Sequence, residues 1–196
     1  MKTAAYLIIG LLMPLFAAST AVGQANDVVF TGTVLLYGSG ANVRTTTRTF
    51  TFRLSGQTSD EDGQRFIDIL QDRGQTALLD AIDGQKVGTF AFTGQVARDV
   101  NVARVSEVDG KLRIRAAFAR WMGMGELRGG YRSIDYPFSY VELTVDPKSG
   151  KGDGTFISAA KVRLRMNDGK KEIEVEDFGT FPGMVMAVQM RGTLVP

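Results

Sequence analysis

The chain has 196 residues, 44% of them apolar and 22% charged, with neither cysteine nor histidine and a formal charge of +2. Such a composition excludes disordered, collagenous and disulfide-stapled chains. The two missing residue types exclude disulfides, thiol nucleophiles, a Ser-His-Asp triad and imidazole metal ligands, and a charge so near zero gives no overall pull toward nucleic acid or an anionic membrane.

Residues 1–23 have the layout of a secretory signal peptide. Lys2 supplies the positive start, Ala4 to Ala18 form an apolar stretch, and Ser19-Thr20-Ala21-Val22-Gly23 is a small-residue exit. Ala21 and Gly23 fall three and one residues before a cut ahead of Gln24, with a cut after Ala21 as the competing position. An uncleaved anchor would need about 20 apolar residues, more than this run offers. The expected product is one mainly-β domain, residues 24–196, exported to the periplasm or the medium, soluble and not membrane-spanning. Lacking cysteine, it must draw its stability from burial and strand pairing.

Past the leader the dominant period is two. Phe50, Phe52 and Leu54 share one face of residues 49–54, with polar groups on the other, the pattern of a half-buried strand. Similar alternation runs through residues 28–37, 87–93, 100–108, 111–121, 138–145, 155–166, 172–178 and 184–193, which makes about nine strands by this criterion.

One stretch, residues 58–83, is helical in period. Thr58 and Glu61 have capping-box spacing, and Phe66, Ile69 and Leu70 share a face. Gly74 breaks the run, Leu78, Leu79 and Ile82 form a second stripe, and Gly84 closes it. A short helical pair inserted among the strands is expected, with Asp60-Glu61-Asp62 offsetting the helix dipole. Neither that acidic run nor Asp146, Ser149 and Asp153 in the loop at residues 146–154 has calcium-loop spacing and a closing acidic ligand, so no metal or other cofactor is expected.

Two corners set a register. Asp109-Gly110 is a two-residue turn of the kind that takes positive φ at both positions. Folding there places Val105 opposite Ile114 and Ala103 opposite Ala116, and on the other face sets Arg104 against Arg115 with Arg113 close by. Like charges directly opposed destabilise a sheet, so either carboxylates from a neighbouring strand intervene, which is the preferred account, or the long side chains splay into water, or Arg104, Arg113 and Arg115 form an anion-binding cluster, the candidate electrostatic site of the chain. Asp168-Gly169 likewise places Arg165, Arg163 and Lys161 opposite Glu172, Glu174 and Glu176, with Leu164 on Ile173 and Val162 on Val175 behind them. That ladder reads as a solvated face whose main value is register.

Residues 121–140 depart from this grammar, being rich in Met, aromatic and Gly residues, and residues 178–184 have a similar character. Long connections of this kind in a small domain are more often functional than plain. Trp121, Met122, Met124, Tyr131, Tyr136 and Phe181 are the candidate ligand-binding residues. A plain structural role is the competing account, in which Trp121, Tyr131, Tyr136, Phe138 and Phe181 plug one end of the β core.

The fold expected is a single antiparallel β-barrel or two-sheet sandwich with the inserted helical pair, a barrel being preferred because it leaves no edge. Its core should hold Phe50, Phe52, Leu54, Phe66, Leu70, Phe90, Phe92, Leu112, Ile114, Val162, Leu164, Ile173 and Val175. The function expected is a non-catalytic binding module for a small apolar or amphipathic ligand. Two alternatives are an envelope or surface protein that contacts a protein partner, and a hydrolase using carboxylates such as Glu126, Asp135, Glu142 or Asp177.

Overall fold

Alternating burial along the strands wraps the sheet around a stack of phenylalanines. The computed structural model describes residues 27–37, 44–120, 122, 124–129, 132–167, 170–179 and 181–194. The leader at residues 1–23 and the Asp168-Gly169 corner lie outside them. The strands are β1 (Val28–Leu36), β2 (Thr46–Leu54), β3 (Gly88–Phe92), β4 (Arg98–Val100), β5 (Val102–Val108), β6 (Lys111–Ala119), β7 (Phe138–Val145), β8 (Lys151–Asn167), β9 (Lys170–Asp177) and β10 (Gly183–Arg191). Helix α1 (Asp60–Ile82) is inserted between β2 and β3, and a short helix α2 (Met124–Gly129) with a 3-10 turn (Arg132–Asp135) joins β6 to β7.

All pairings are antiparallel, in the order β4-β3-β2-β1-β10-β8-β7-β6-β5. The two ends of that path, β4 and β5, are separated in the chain by Asn101 alone. One bent strand therefore pairs with β3 at its start and β6 at its end, and the sheet becomes a nearly closed barrel, not a sandwich. Asn101, 7% exposed, holds the bend. Its Nδ2 donates to the carbonyls of Ile82 and Gln85, and its Oδ1 accepts from the Ala119 amide. The outer edge of β5 is stitched by the segment entering α1. Thr58 exchanges hydrogen bonds with both backbone groups of Ala103, and Gln57 Oε1 accepts from the Val105 amide. Those backbone groups would otherwise be unpaired at an edge.

Inside, Phe30 stacks on Phe52 with centroids 5.5 Å apart, and Phe90 lies 5.4 Å from Phe50, 5.6 Å from Phe118 and 5.2 Å from Phe156. Rings in such offset and edge contacts contribute about 0.5–1.5 kcal/mol per pair beyond their buried area. The barrel interior is thus filled by strand side chains. Of the aromatics expected to plug it, Phe138 is buried against α1 on the outside of the barrel, and Trp121 and Tyr131 lie outside the described residues.

Helix α1 forms that second core. Ser59, not Thr58, is its N-cap, accepting from the Asp62 amide at 3.0 Å, because the Thr58 hydroxyl is already bound to β5. Along its 23 residues the helix is interrupted at Gly74, whose φ of 78° and ψ of −176° are not helical and are closed to most side chains, so α1 consists of the two helical arms expected on either side of that glycine. The bend lets both arms follow the twisted sheet. Phe66 and Leu70 on the first arm, and Leu78 and Ile82 on the second, pack on Phe138, Ile157, Ala160 and Val162. Gln75, just after the bend, donates to the Asp135 carbonyl and accepts from the Val162 amide.

Strand β8 is 17 residues long because it serves two structures. Its first half lies in the barrel between β7 and β10, and its second half leaves as a two-stranded ribbon with β9. Both expected registers are present: Arg163 opposite Glu174 and Val162 opposite Val175, and Arg104 opposite Arg115 with Ala103 opposite Ala116. Asp109 and Gly110 have φ of 51° and 72°, as the tight turn requires. Within the ladder the ion pairs run diagonally, Arg163 to Glu176 and Arg165 to Glu174, because sheet twist brings diagonal neighbours together. Of the expected core, Leu164, Val175 and Phe92 are half-buried and Ile173 is 50% exposed. The ribbon projects beyond the barrel, so Ile173 has only α1 and the outer sheet face beneath it.

Candidate functional site

Of the expected ligand-binding residues, Trp121 and Tyr131 lie outside the described residues. Met122 is half-buried, and Met124 is 62% exposed at the start of α2. Tyr136 packs edge-on against Phe178 at 5.1 Å and donates to Glu176 at 2.5 Å, so the two aromatic-rich segments do meet there. Phe181, 65% exposed, instead meets Tyr37 beside β1 and β10.

The connection that holds these residues is organised by a cation. Arg120, at the end of β6, forms two hydrogen bonds with Glu126 of α2, at 2.6 and 3.2 Å, and donates to the carbonyls of Ser133 and Tyr136. The Ser133 hydroxyl donates to the same carboxylate. The bonds from Arg120, and next that from Ser133, hold the Glu126 carboxyl below its ordinary range, with burial opposing. A carboxyl shifted downward contributes stability above its unfolded pKa of about 4.3 and loses it as pH falls through the folded value. Melting temperature followed from pH 6 downward should therefore fall more steeply for the native chain than for Glu126→Gln, and the two curves should converge at the acid end. Parallel curves would show that the clamp is not ionic.

Between α1, the ribbon and the outer barrel face lies a groove of about 620 Å3. Its floor is Val102, Ala117 and Tyr140, one residue from each of β5, β6 and β7. Phe66, Leu78 and Ile82 of α1 form one wall, and Val162, Ile173 and Val175 form the other. The volume is within the usual range for small-ligand sites, which are mostly apolar with a few polar groups at fixed positions. The polar side chains here are Arg104, Ser106, Arg115 and, by its hydroxyl, Tyr140, so two of the three candidate anion-binding residues line an apolar space.

Each charge at this rim has a defined partner or lacks one. Arg104 pairs with Asp60 at 2.6 Å and donates to the Thr58 carbonyl at 3.0 Å. Arg113 faces Glu142 at 3.4 Å, and Glu142 also accepts from the Tyr140 hydroxyl at 2.6 Å. Burial first, and that hydrogen bond next, push the Tyr140 hydroxyl's pKa upward, so it stays a neutral donor. Arg115 has no carboxylate within 4.0 Å among the described residues. Periodicity located the arginines. That they border a groove had no signal along the chain, because its walls come from segments far apart in sequence.

Among the described residues no Asp or Glu side chain lines the groove, and no group of three acidic residues is placed to hold a metal ion. The Asp146 carboxylate accepts from the Lys148 and Ser149 amides, which makes a turn and not a ligand set. A second depression, along Arg65, Asp68 and Arg73 of α1, is open and edged by charged side chains. No helix among the described residues is long and apolar enough to cross a membrane. Comparison of the chain with known protein families, with characterised proteins and with solved structures gave no match.

Proposed function

We propose that the chain is an exported, non-catalytic binding module that takes a small apolar or amphipathic ligand in the groove between α1 and the outer barrel face. The observation that carries this reading is the 620 Å3 space with apolar walls on three sides beside a barrel whose interior is full. The site lies outside the barrel, away from the open end that the aromatic-rich connections suggested. Export rests on the order of residues 1–23, positive start, apolar run and small-residue exit.

Titration with Nile red, a neutral dye that brightens in apolar surroundings, tests the reading. The native protein should bind it saturably at one site. Ala117→Trp fills the floor from a half-buried, outward-facing position and should abolish that binding while leaving the melting temperature nearly unchanged. A native protein that takes no dye, or a folded Ala117→Trp that binds as the native does, would overturn the proposal.

A second reading, contact with a protein partner, is favoured by Tyr37, Phe181, Met184 and Met186, which are 36–65% exposed on and beside β1 and β10. Exposed apolar groups gathered on one surface are the usual mark of such contacts. Ala117→Trp leaves that surface untouched, so the same variant separates the two roles.

A further inference from the structure

We infer that the groove's ligand is an alkyl-chain carboxylate whose head group is held by Arg115, with Arg104 as the second cation; this rests on the groove being the binding site. Two observations meet at one place. The first is the apolar groove, which suits a hydrocarbon tail and has no Asp or Glu among its lining residues. The second is the charge ledger at its rim. Arg104 and Arg115 stand directly opposite on β5 and β6, an arrangement that costs a sheet stability unless something intervenes. Asp60 intervenes for Arg104.

For Arg115 the obvious partner is Glu142, its neighbour in register on β7. That carboxylate is taken: one oxygen accepts from Tyr140 and the other faces Arg113. Arg115 is left as the groove-lining arginine with no carboxylate oxygen within 4.0 Å among the described residues. A guanidinium binds a carboxylate through two parallel donors, which a point charge cannot do. A ligand with an anionic head and an apolar tail would meet both halves of the site at once. A neutral lipid would use only the groove, and a small anion only the rim.

The test compares dodecanoate with dodecanol, two ligands that share a tail and differ in the head group. Displacement of Nile red from the full chain should show dodecanoate binding about tenfold or more tighter than dodecanol, the scale of one charge-assisted pair. Arg115→Gln should remove that preference, weakening dodecanoate about tenfold while leaving dodecanol unchanged. Arg165→Gln removes a charge from the solvated side of the ribbon and should change neither. Arg115 is exposed, so its variant should fold with a melting temperature close to that of the native chain. If both ligands bind equally and Arg115→Gln alters nothing, the head-group assignment is wrong and the groove reading stands. If neither ligand nor the dye binds, the groove reading itself falls.

Discussion

Replacing Phe90 with alanine is expected to remove about 3–5 kcal/mol of stability, a large part of the 5–15 kcal/mol typical of a domain. Phe90 is 3% exposed and sits at the centre of the aromatic stack, with the rings of Phe50, Phe52, Phe92, Phe118 and Phe156 all within 6.4 Å. Those neighbours come from β2, β3, β6 and β8, each held in register by its strand, so they cannot move together to fill the void. The cost combines lost transfer free energy with a cavity that the barrel cannot collapse. For a chain of this size it corresponds to about 6–20 °C in melting temperature, readable by calorimetry. A fall of only one or two degrees would show that the interior is loosely packed, and the claim that the barrel is full would fail. Phe90→Leu keeps most of the volume and should retain native dye binding, because Phe90 does not line the groove.

Gly154→Ala is expected to cost about 3 kcal/mol or more, above the usual 1–3 kcal/mol for overpacking, because the obstacle is backbone. A Cβ at this position would stand 2.0 Å from the Glu142 carbonyl oxygen and 3.0 Å from the Leu143 Cα. At Gly152 the corresponding oxygen, that of Thr144, is 2.2 Å away. Both glycines pair with β7 on one side and β10 on the other, where the β8–β10 register shifts between Val185 and Val188. Glycines at such places let a strand coil tightly as the barrel turns. Gly63→Ala is the contrasting case. That glycine lies inside α1 with nothing within 4 Å of an added Cβ, and alanine there should add about 0.5–1 kcal/mol. Chemical denaturation of the two variants reads both signs. A stable Gly154→Ala would mean that β7 and β8 do not approach as closely as described.

Much of the sheet was legible along the chain because strand geometry writes itself at a period of two. Val162, Leu164, Ile173 and Val175 alternate with charges of opposite sign, and Asp109-Gly110 supplies the left-handed pair that a tight hairpin needs, so register followed from local rules. Gly74 was legible as the break between two helical stripes, but the angle at which the two arms meet was not, because it depends on the sheet beneath them. The α1 cap moved from Thr58 to Ser59 for the same kind of reason, since the Thr58 hydroxyl was claimed by a strand 45 residues away.

The site divides in the same way. Composition, alternation and turn residues by themselves determined a mainly-β domain without thiol or imidazole chemistry and brought Arg104 beside Arg115, because each of these depends on neighbours within one hairpin. Closure through Asn101, the filling of the barrel by phenylalanines and the groove under the ribbon were decided by tertiary structure. So was the balance that leaves Arg115 with no carboxylate within 4.0 Å among the described residues, since Asp60, Tyr140 and Glu142 reach the arginines only after α1 and β7 have packed. Pairwise distances between remote segments are set by the folded core, and no period in the chain encodes them.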